Sequence, residues 1–138
     1  MEQIKEKILD ILKNNKIGVM TTVHNEQPYS RYMTFTHEEF TLFTRTLEDS
    51  EKVVDLQKNP YTHILLGYTN NAPDAAYIEI EAKVTDFRDD ELKLKIVNTL
   101  RSIFQKESDM IAIQIEPIRI TLHDKKGTAP QTVDFPLH

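Results

Sequence analysis

The chain has no cysteine, no tryptophan and only three glycines in 138 residues. Without cysteine there is no disulfide framework, no cysteine nucleophile and no thiolate metal site, and a reducing cytoplasm suits such a chain. Gly18, Gly67 and Gly127 are not spaced as G-x-G-x-x-G or as a P-loop. A dinucleotide-binding Rossmann unit and a P-loop NTPase both need glycine where backbone closes on phosphate, so the spacing argues against both. Any phosphate has to be gripped by side chains. No apolar run approaches the roughly 20 residues of a membrane helix. The start, MEQIKEKILDILKNN, lacks the basic residues and apolar stretch of a secretory signal. Positive charge is also in deficit. A formal net charge of -5 argues against a nucleic-acid or anionic-membrane surface, which would need a basic face. The apolar share of 39% is modest and leaves room for burial against a partner subunit.

What is present reads as one domain, mainly β with helical insertions. Ile4, Ile8, Ile11 and Leu12 share one stripe at helical spacing, predicting a helix over residues 2–15. KIGVMTTV and PYSRYMTFT, joined by His24-Asn25-Glu26-Gln27, predict a β-hairpin. In the second of these strands Tyr29, Arg31, Met33 and Phe35 share one face, and Ser30, Tyr32, Thr34 and Thr36 the other. A turn at His37-Glu38-Glu39 leads into the strand FTLFTRT. LEDSEKVVDLQKNP predicts a helix capped by Asp49 or Ser50, with Val53 and Leu56 inward and Asn59-Pro60 as its stop. YTHILLGYT is a strand, followed by a loop at residues 70–74. AAYIEIEAKVTDF is a long strand with one buried face. Asp89-Asp90-Glu91 opens a further helix with the stripe Leu92, Ile96, Leu100 and Ile103. MIAIQIEP is a strand, and IRITLHD a second strand or extended segment. The tail from about residue 125 is polar and proline-bearing, with disorder expected in part. Six or seven strands joined by short turns favour an antiparallel sheet or barrel over a doubly wound α/β fold.

Residues 31–52 carry the chemistry. Two alternating strands, a hydroxyl-rich turn and a helix start place Arg31, Thr44, Arg45, Thr46, Ser50 and Lys52 within reach of one anion. Arginine offers a planar fork of donors and lysine a compact charge. A helix start adds backbone N–H groups and partial positive charge. The same residues also describe a solvated strand edge and an ordinary helix cap, and both readings stand at this point.

The other polar residues offer less. His24 and His37 fall in turns and are expected to be solvated, and His63 packed or at an edge. No H-x-x-x-H or H-E-x-x-H spacing points to a metal. There is no G-x-S-x-G elbow, so hydrolase chemistry has no support. Glu38-Glu39 and Asp89-Asp90 read as a turn and a helix start. Tyr29, Tyr32, Met33, Phe35 and Phe43 either offer a flat surface for a ring system or fill a barrel core.

The ordered series KIGVMTTV, Pro28-x-x-Arg31-x-Met33, Thr44-x-Thr46, Ser50-x-Lys52 and Lys58-Asn59-Pro60 resembles the pyridoxamine 5'-phosphate oxidase-like, FMN-binding split-barrel family. Phe35-Thr36-His37, HILLGY and AAYIEIEAKV add to a likeness that runs from the first helix to about Gly127, and that is strongest to the bacterial general stress protein 26 group. The resemblance implies a homodimeric split β-barrel with an FMN site in each of two clefts between subunits. Arg31, Tyr32, Met33 and Thr34 would lie along the flavin, with Arg31 at the ribityl-phosphate end. Phe43, Thr44 and Thr46 would stand on the neighbouring strand, and Ser50 and Lys52 would grip the phosphate. Another flavin or a deazaflavin is an alternative cofactor. The implied activity is a flavin-dependent oxidoreductase of general-stress type, with no side chain marked as acid or base.

The chain departs from the family pattern in three ways. It has Ala82 where glycine is frequent, no Trp in the helix after the long strand, and a short helix-to-strand connection around Phe104 to Asp109. These departures motivate a rival, a non-catalytic flavin-binding or degenerate stress protein. A third reading is a haem-handling relative with His24, His37 or His63 as ligand. Arg119 and His123 do not match the spacing by which the true oxidase holds its substrate, so oxidation of pyridoxamine 5'-phosphate is not expected.

Overall fold

The computed structural model describes residues 2–67, 75–89, 110–124 and 127–136. The expected loop at 70–74 and the helix carrying Leu92, Ile96, Leu100 and Ile103 lie outside them.

The amino-terminal helix α1 spans Glu2–Asn14 and buries Ile8, Ile11 and Leu12, three residues of the expected stripe. Strand β1 (Ile17–His24) and strand β2 (Gln27–Glu38) pair antiparallel, from Ile17↔Thr34 to His24↔Gln27. The two-residue loop Asn25-Glu26 has positive φ at both positions, 51° and 65°, which a type I′ hairpin turn requires. Strand β3 (Thr41–Leu47) follows. Its turn lies one residue later than the sequence suggests: Glu38 pairs with Thr41, and Glu39 takes φ 53°. Helix α2 (Glu51–Lys58) buries Val53 and Leu56 as expected, and Asp55 with them. Asn59 is its C-cap and returns its N–H to the Asp55 carbonyl.

Strands β4 (Tyr61–Leu66), β5 (Tyr77–Asp89) and β6 (Met110–His123) complete a barrel, and β7 (Gln131–Asp134) adds to its rim. The sheet order is β3-β2-β1-β4-β5-β6-β7, and β3 also pairs with β6, so six antiparallel strands close on themselves. The fold is a split β-barrel, as expected. Alternation fills the interior: Met20, Phe35, Leu42, Ile64, Ile80 and Ile113 are all buried. Each such side chain stabilises the fold by about 1.5–3 kcal/mol relative to exposure. At Gly18 a Cβ would lie 2.7 Å from both the Leu65 carbonyl oxygen and the Leu66 side chain. With glycine there, β1 can sit tightly between β2 and β4.

One expectation needs correction. MIAIQIEP and IRITLHD are one strand, β6, running through Pro117. On one edge of β6, pairing with β3 ends at Ile115 and pairing with β7 begins at Arg119. Pro117 falls in that gap and beside the register shift at Glu81/Ala82 on β5, where the ladder tolerates a missing N–H. Part of the tail is strand. Within it β7 pairs with β6, Val133 is buried, and the Phe135 ring meets Phe40 at 5.2 Å between centroids.

Candidate functional site

Inward alternation along β1 gives Gly18, Met20 and Thr22, all buried, and then His24 at the strand's end. On β2 the register sets Arg31 opposite Met20. Helix α2 covers this end of the barrel through Val53 and Leu56. Between them His24, Tyr29, Arg31, Glu51, Lys52 and Asp55 line a cleft of about 280 Å³.

Arg31 is positioned by the barrel wall. Its Nη1 donates to Thr22 Oγ1 at 2.8 Å and reaches the Met20 carbonyl at 3.5 Å. Lys52 enters from the first turn of α2. Burial, and then the nearby Arg31 charge, hold its ammonium below the ordinary lysine range. The chain thus brings two cations to one partly desolvated place, an arrangement that an anion relieves.

The remaining expected residues divide by face. Thr46 Oγ1 lies 3.4 Å from Ser50 Oγ, which puts a hydroxyl pair near the start of α2. Ser50 is the N-cap by backbone geometry, with no side-chain capping bond. Thr44 is buried and donates its hydroxyl to the Thr34 carbonyl at 2.8 Å. Met33 packs against the core, Phe43 is half-buried, and Tyr32 and Thr34 project outward, Tyr32 at 73% exposure. Arg45 is exposed on the outward face of β3, apart from the inward Arg31. The five apolar-aromatic residues do not form one flat surface. Phe35 is core, Tyr29 lines the cleft and Tyr32 faces out.

His24 corrects an expectation. It is the last residue of β1 and not a solvated turn residue. Its Nδ1 donates to Asp55 Oδ1 at 2.6 Å, and its Nε2 lies 3.3 Å from Glu51 Oε1. The bond to Asp55 raises the imidazole pKa above its ordinary value, with smaller support from the charges of Asp55 and Glu51. The imidazole and two carboxylates lie within 4.8 Å of one another. The acids address opposite ring nitrogens, so the group holds a proton on Nδ1 that a metal ion would have to displace. Extending the β1 alternation past Val23 was the signal available for His24. Nothing in the helix periodicity marked Asp55 as its partner.

On the outer face, Arg119 Nε donates to Asp134 Oδ1 at 2.6 Å. His123 Nε2 lies 3.0 Å from Glu79 Oε2, and its ring stacks on Tyr77 at 4.4 Å. His37 Nδ1 donates to the Glu39 carbonyl at 2.9 Å, within β2 and not in a turn.

The six-stranded split barrel, with a cleft beside its second helix that gathers Arg31 and Lys52 with His24, Glu51 and Asp55, has a counterpart in one known family. The pyridoxamine 5'-phosphate oxidase family profile matches residues 4–124, and the chain belongs to that family. Within it the chain is similar to General stress protein 26 of Bacillus subtilis (strain 168), at 35% identity over 137 residues, covering 97% of this chain and 98% of that protein. The crystal structure of General Stress Protein 26 from Bacillus anthracis str. Sterne superposes with a TM-score of 0.75 at 33% identity, covering 96% of this chain and 99% of that one. An F420 reductase shares the fold at 17% identity and a TM-score of 0.64, covering 80% of this chain and 93% of its own.

Proposed function

We propose that this chain is an FMN-binding, homodimeric flavoprotein of general-stress type, a flavin-dependent oxidoreductase of the cytoplasm. The observation that carries the reading is the convergence of Arg31 and Lys52 in one cleft, where burial and the Arg31 charge hold the Lys52 ammonium below its ordinary range. Both residues fit the phosphate of FMN. Arg31 is braced by Thr22, and Lys52 offers a compact charge from the first turn of α2. Thr46 and Ser50 supply hydroxyls beside them. Tyr32, Met33 and Thr34 would run along the flavin from that end, with Phe43 and Thr44 on the neighbouring strand. Thr44 acts there through the strand it fixes, since its hydroxyl is spent on Thr34. Bound FMN would supply hydride or electron transfer at its ring. Another flavin, or a deazaflavin of the kind for which the F420 reductase is named, would use the same phosphate end.

A second subunit completes the cleft. The outward side of β1 and β2 supports this: Ile17 and Tyr32 are 52% and 73% exposed, and Val19 stands directly opposite Tyr32. Such apolar area seeks cover. Oxidation of pyridoxamine 5'-phosphate itself is not part of the proposal, because Arg119 and His123 do not have the spacing by which the true oxidase holds its substrate.

The test is titration of the purified protein with FMN, followed by flavin absorbance and fluorescence, beside the Arg31→Ala/Lys52→Ala double variant. Uptake by the parent and loss in the variant is the expected result. A colourless protein that takes up no flavin overturns the reading. Anaerobic addition of NADPH or another common donor to the loaded protein then separates an oxidoreductase, which bleaches, from a non-catalytic flavin binder, which does not.

A further inference from the structure

We propose that His24 is a third ligand of the anion in this cleft, presented by the buried Asp55, and that Glu51 is the carboxylate the anion displaces. The inference rests on the reading of the cleft as a phosphate seat and adds residues that the family likeness did not mark.

The geometry runs from the inside outward. Asp55 is 6% exposed, and a buried carboxylate needs a hydrogen-bonded partner. Its Oδ1 accepts from His24 Nδ1 at 2.6 Å, which fixes the ring and the proton on that nitrogen. The opposite nitrogen, Nε2, is then turned to the cleft that Arg31 and Lys52 also line, where Glu51 Oε1 sits 3.3 Å away. Glu51 is a poor permanent occupant. Its side chain is 74% exposed, so it returns to water at little cost when a stronger anion arrives. A phosphate monoester carries about -1.5 to -2 charges near neutrality and three acceptor oxygens. One oxygen each for Arg31, Lys52 and His24 Nε2–H satisfies such a group, whereas a carboxylate carries too little charge for three cationic donors. The ligand class is therefore a phosphate monoester, FMN being the one proposed above.

Protonation of His24 sets a pH window. The groups facing the ring are Asp55 and Glu51 from α2, which favour its charge, and Lys58 from α2, which opposes it. Lys52 from α2 and Arg31 and Tyr29 from β2 line the same cleft, with the Tyr29 ring edge-on at 5.9 Å. Phosphate becomes a dianion above about pH 6. His24 gives up its charge above its raised pKa. Affinity for the phosphate should peak between the two.

The experiment compares FMN with riboflavin, which lacks the phosphate, by fluorescence titration from pH 5.5 to 9. The parent, His24→Gln, Glu51→Gln and Lys52→Met proteins are measured, each checked for folding by circular dichroism. His24→Gln is expected to weaken FMN about ten-fold and to remove the alkaline fall in affinity, leaving riboflavin binding unchanged. Glu51→Gln, an exposed site that leaves the fold alone, is expected to tighten FMN several-fold. If Lys52→Met weakens FMN while the alkaline fall persists in His24→Gln, the role of His24 is overturned and the seat stands; if Glu51→Gln leaves FMN affinity unmoved, Glu51 is not the carboxylate the anion displaces. If Lys52→Met also changes nothing, the seat itself is wrong and the inference falls with it.

Discussion

Lys52 stands beside Arg31 in a place where burial, and then the guanidinium charge, push its ammonium below the ordinary lysine pKa. The folded state therefore binds the Lys52 proton less firmly than the unfolded chain. Between the two pKa values the unfolded state holds more protons, so this group makes stability rise with pH as pH climbs toward the ordinary lysine value. At neutral pH the penalty is present in full. Lys52→Met keeps the apolar stem and removes the charge. Without ligand the variant should be at least as stable as the parent in urea, while FMN affinity falls about ten- to a hundred-fold, the worth of one charge-assisted bond. A variant that is destabilised when empty yet binds FMN normally would show that Lys52 serves the fold and not the anion.

His24 predicts the opposite slope near neutrality. Its pKa is raised in the folded state, chiefly by the bond to Asp55. A raised pKa contributes stability that is complete below the ordinary histidine value of 6.5 and is lost as pH rises through the folded value. Urea midpoints of the parent should therefore decline with pH above about 6.5. The decline should be absent in Asp55→Asn, where an amide of the same shape replaces the charge. Parallel profiles for the two proteins would refute the pairing as a source of stability.

Legibility in the sequence followed the range of the interactions involved. Hairpin β1–β2, the inward face of β2 and the α2 stripe all rest on local spacing, and each could be read before the fold was known. Closure of the barrel depends on Leu42 meeting Ile115, and no local pattern announces that register. Pro117 reads as a break because a proline usually ends a ladder, and only the change of neighbour from β3 to β7 explains its place within β6. The same holds in the cleft. Arg31 and Lys52 were legible as charges beside hydroxyls. His24 was not, because its meaning depends on Asp55, an acid that a helix periodicity assigns to solvent until the helix docks on the barrel. Arg45 failed for a simpler reason: alternation along β3 turns Leu42, Thr44 and Thr46 inward and leaves Arg45 outside.

Gly18 should tolerate no side chain. A Cβ there would meet a backbone oxygen, Leu65 O, at 2.7 Å, and a strand paired on both sides cannot withdraw from it. Gly18→Ala should therefore cost about 1–3 kcal/mol, the range of overpacked cores. Chemical denaturation measures this directly. A loss under about 0.5 kcal/mol, the level of ordinary surface changes, would mean that β1 and β4 lie further apart than described.

The Asn25-Glu26 turn offers the reverse opportunity. Glu26 takes φ 65° at the second central position of a two-residue hairpin loop, where glycine is preferred. A non-glycine residue in left-handed geometry costs roughly 1–2 kcal/mol. Glycine gives back part of that gain, about 0.5–1 kcal/mol, through the greater freedom of its unfolded chain. The strain exceeds the entropy, so Glu26→Gly should stabilise the protein by about 0.5–1 kcal/mol. Asn25→Gly should gain less, since asparagine already tolerates that region. Matched urea curves for the two variants decide the point: equal gains, or a loss at Glu26, would show that the turn is not held in the geometry its dihedral angles give it.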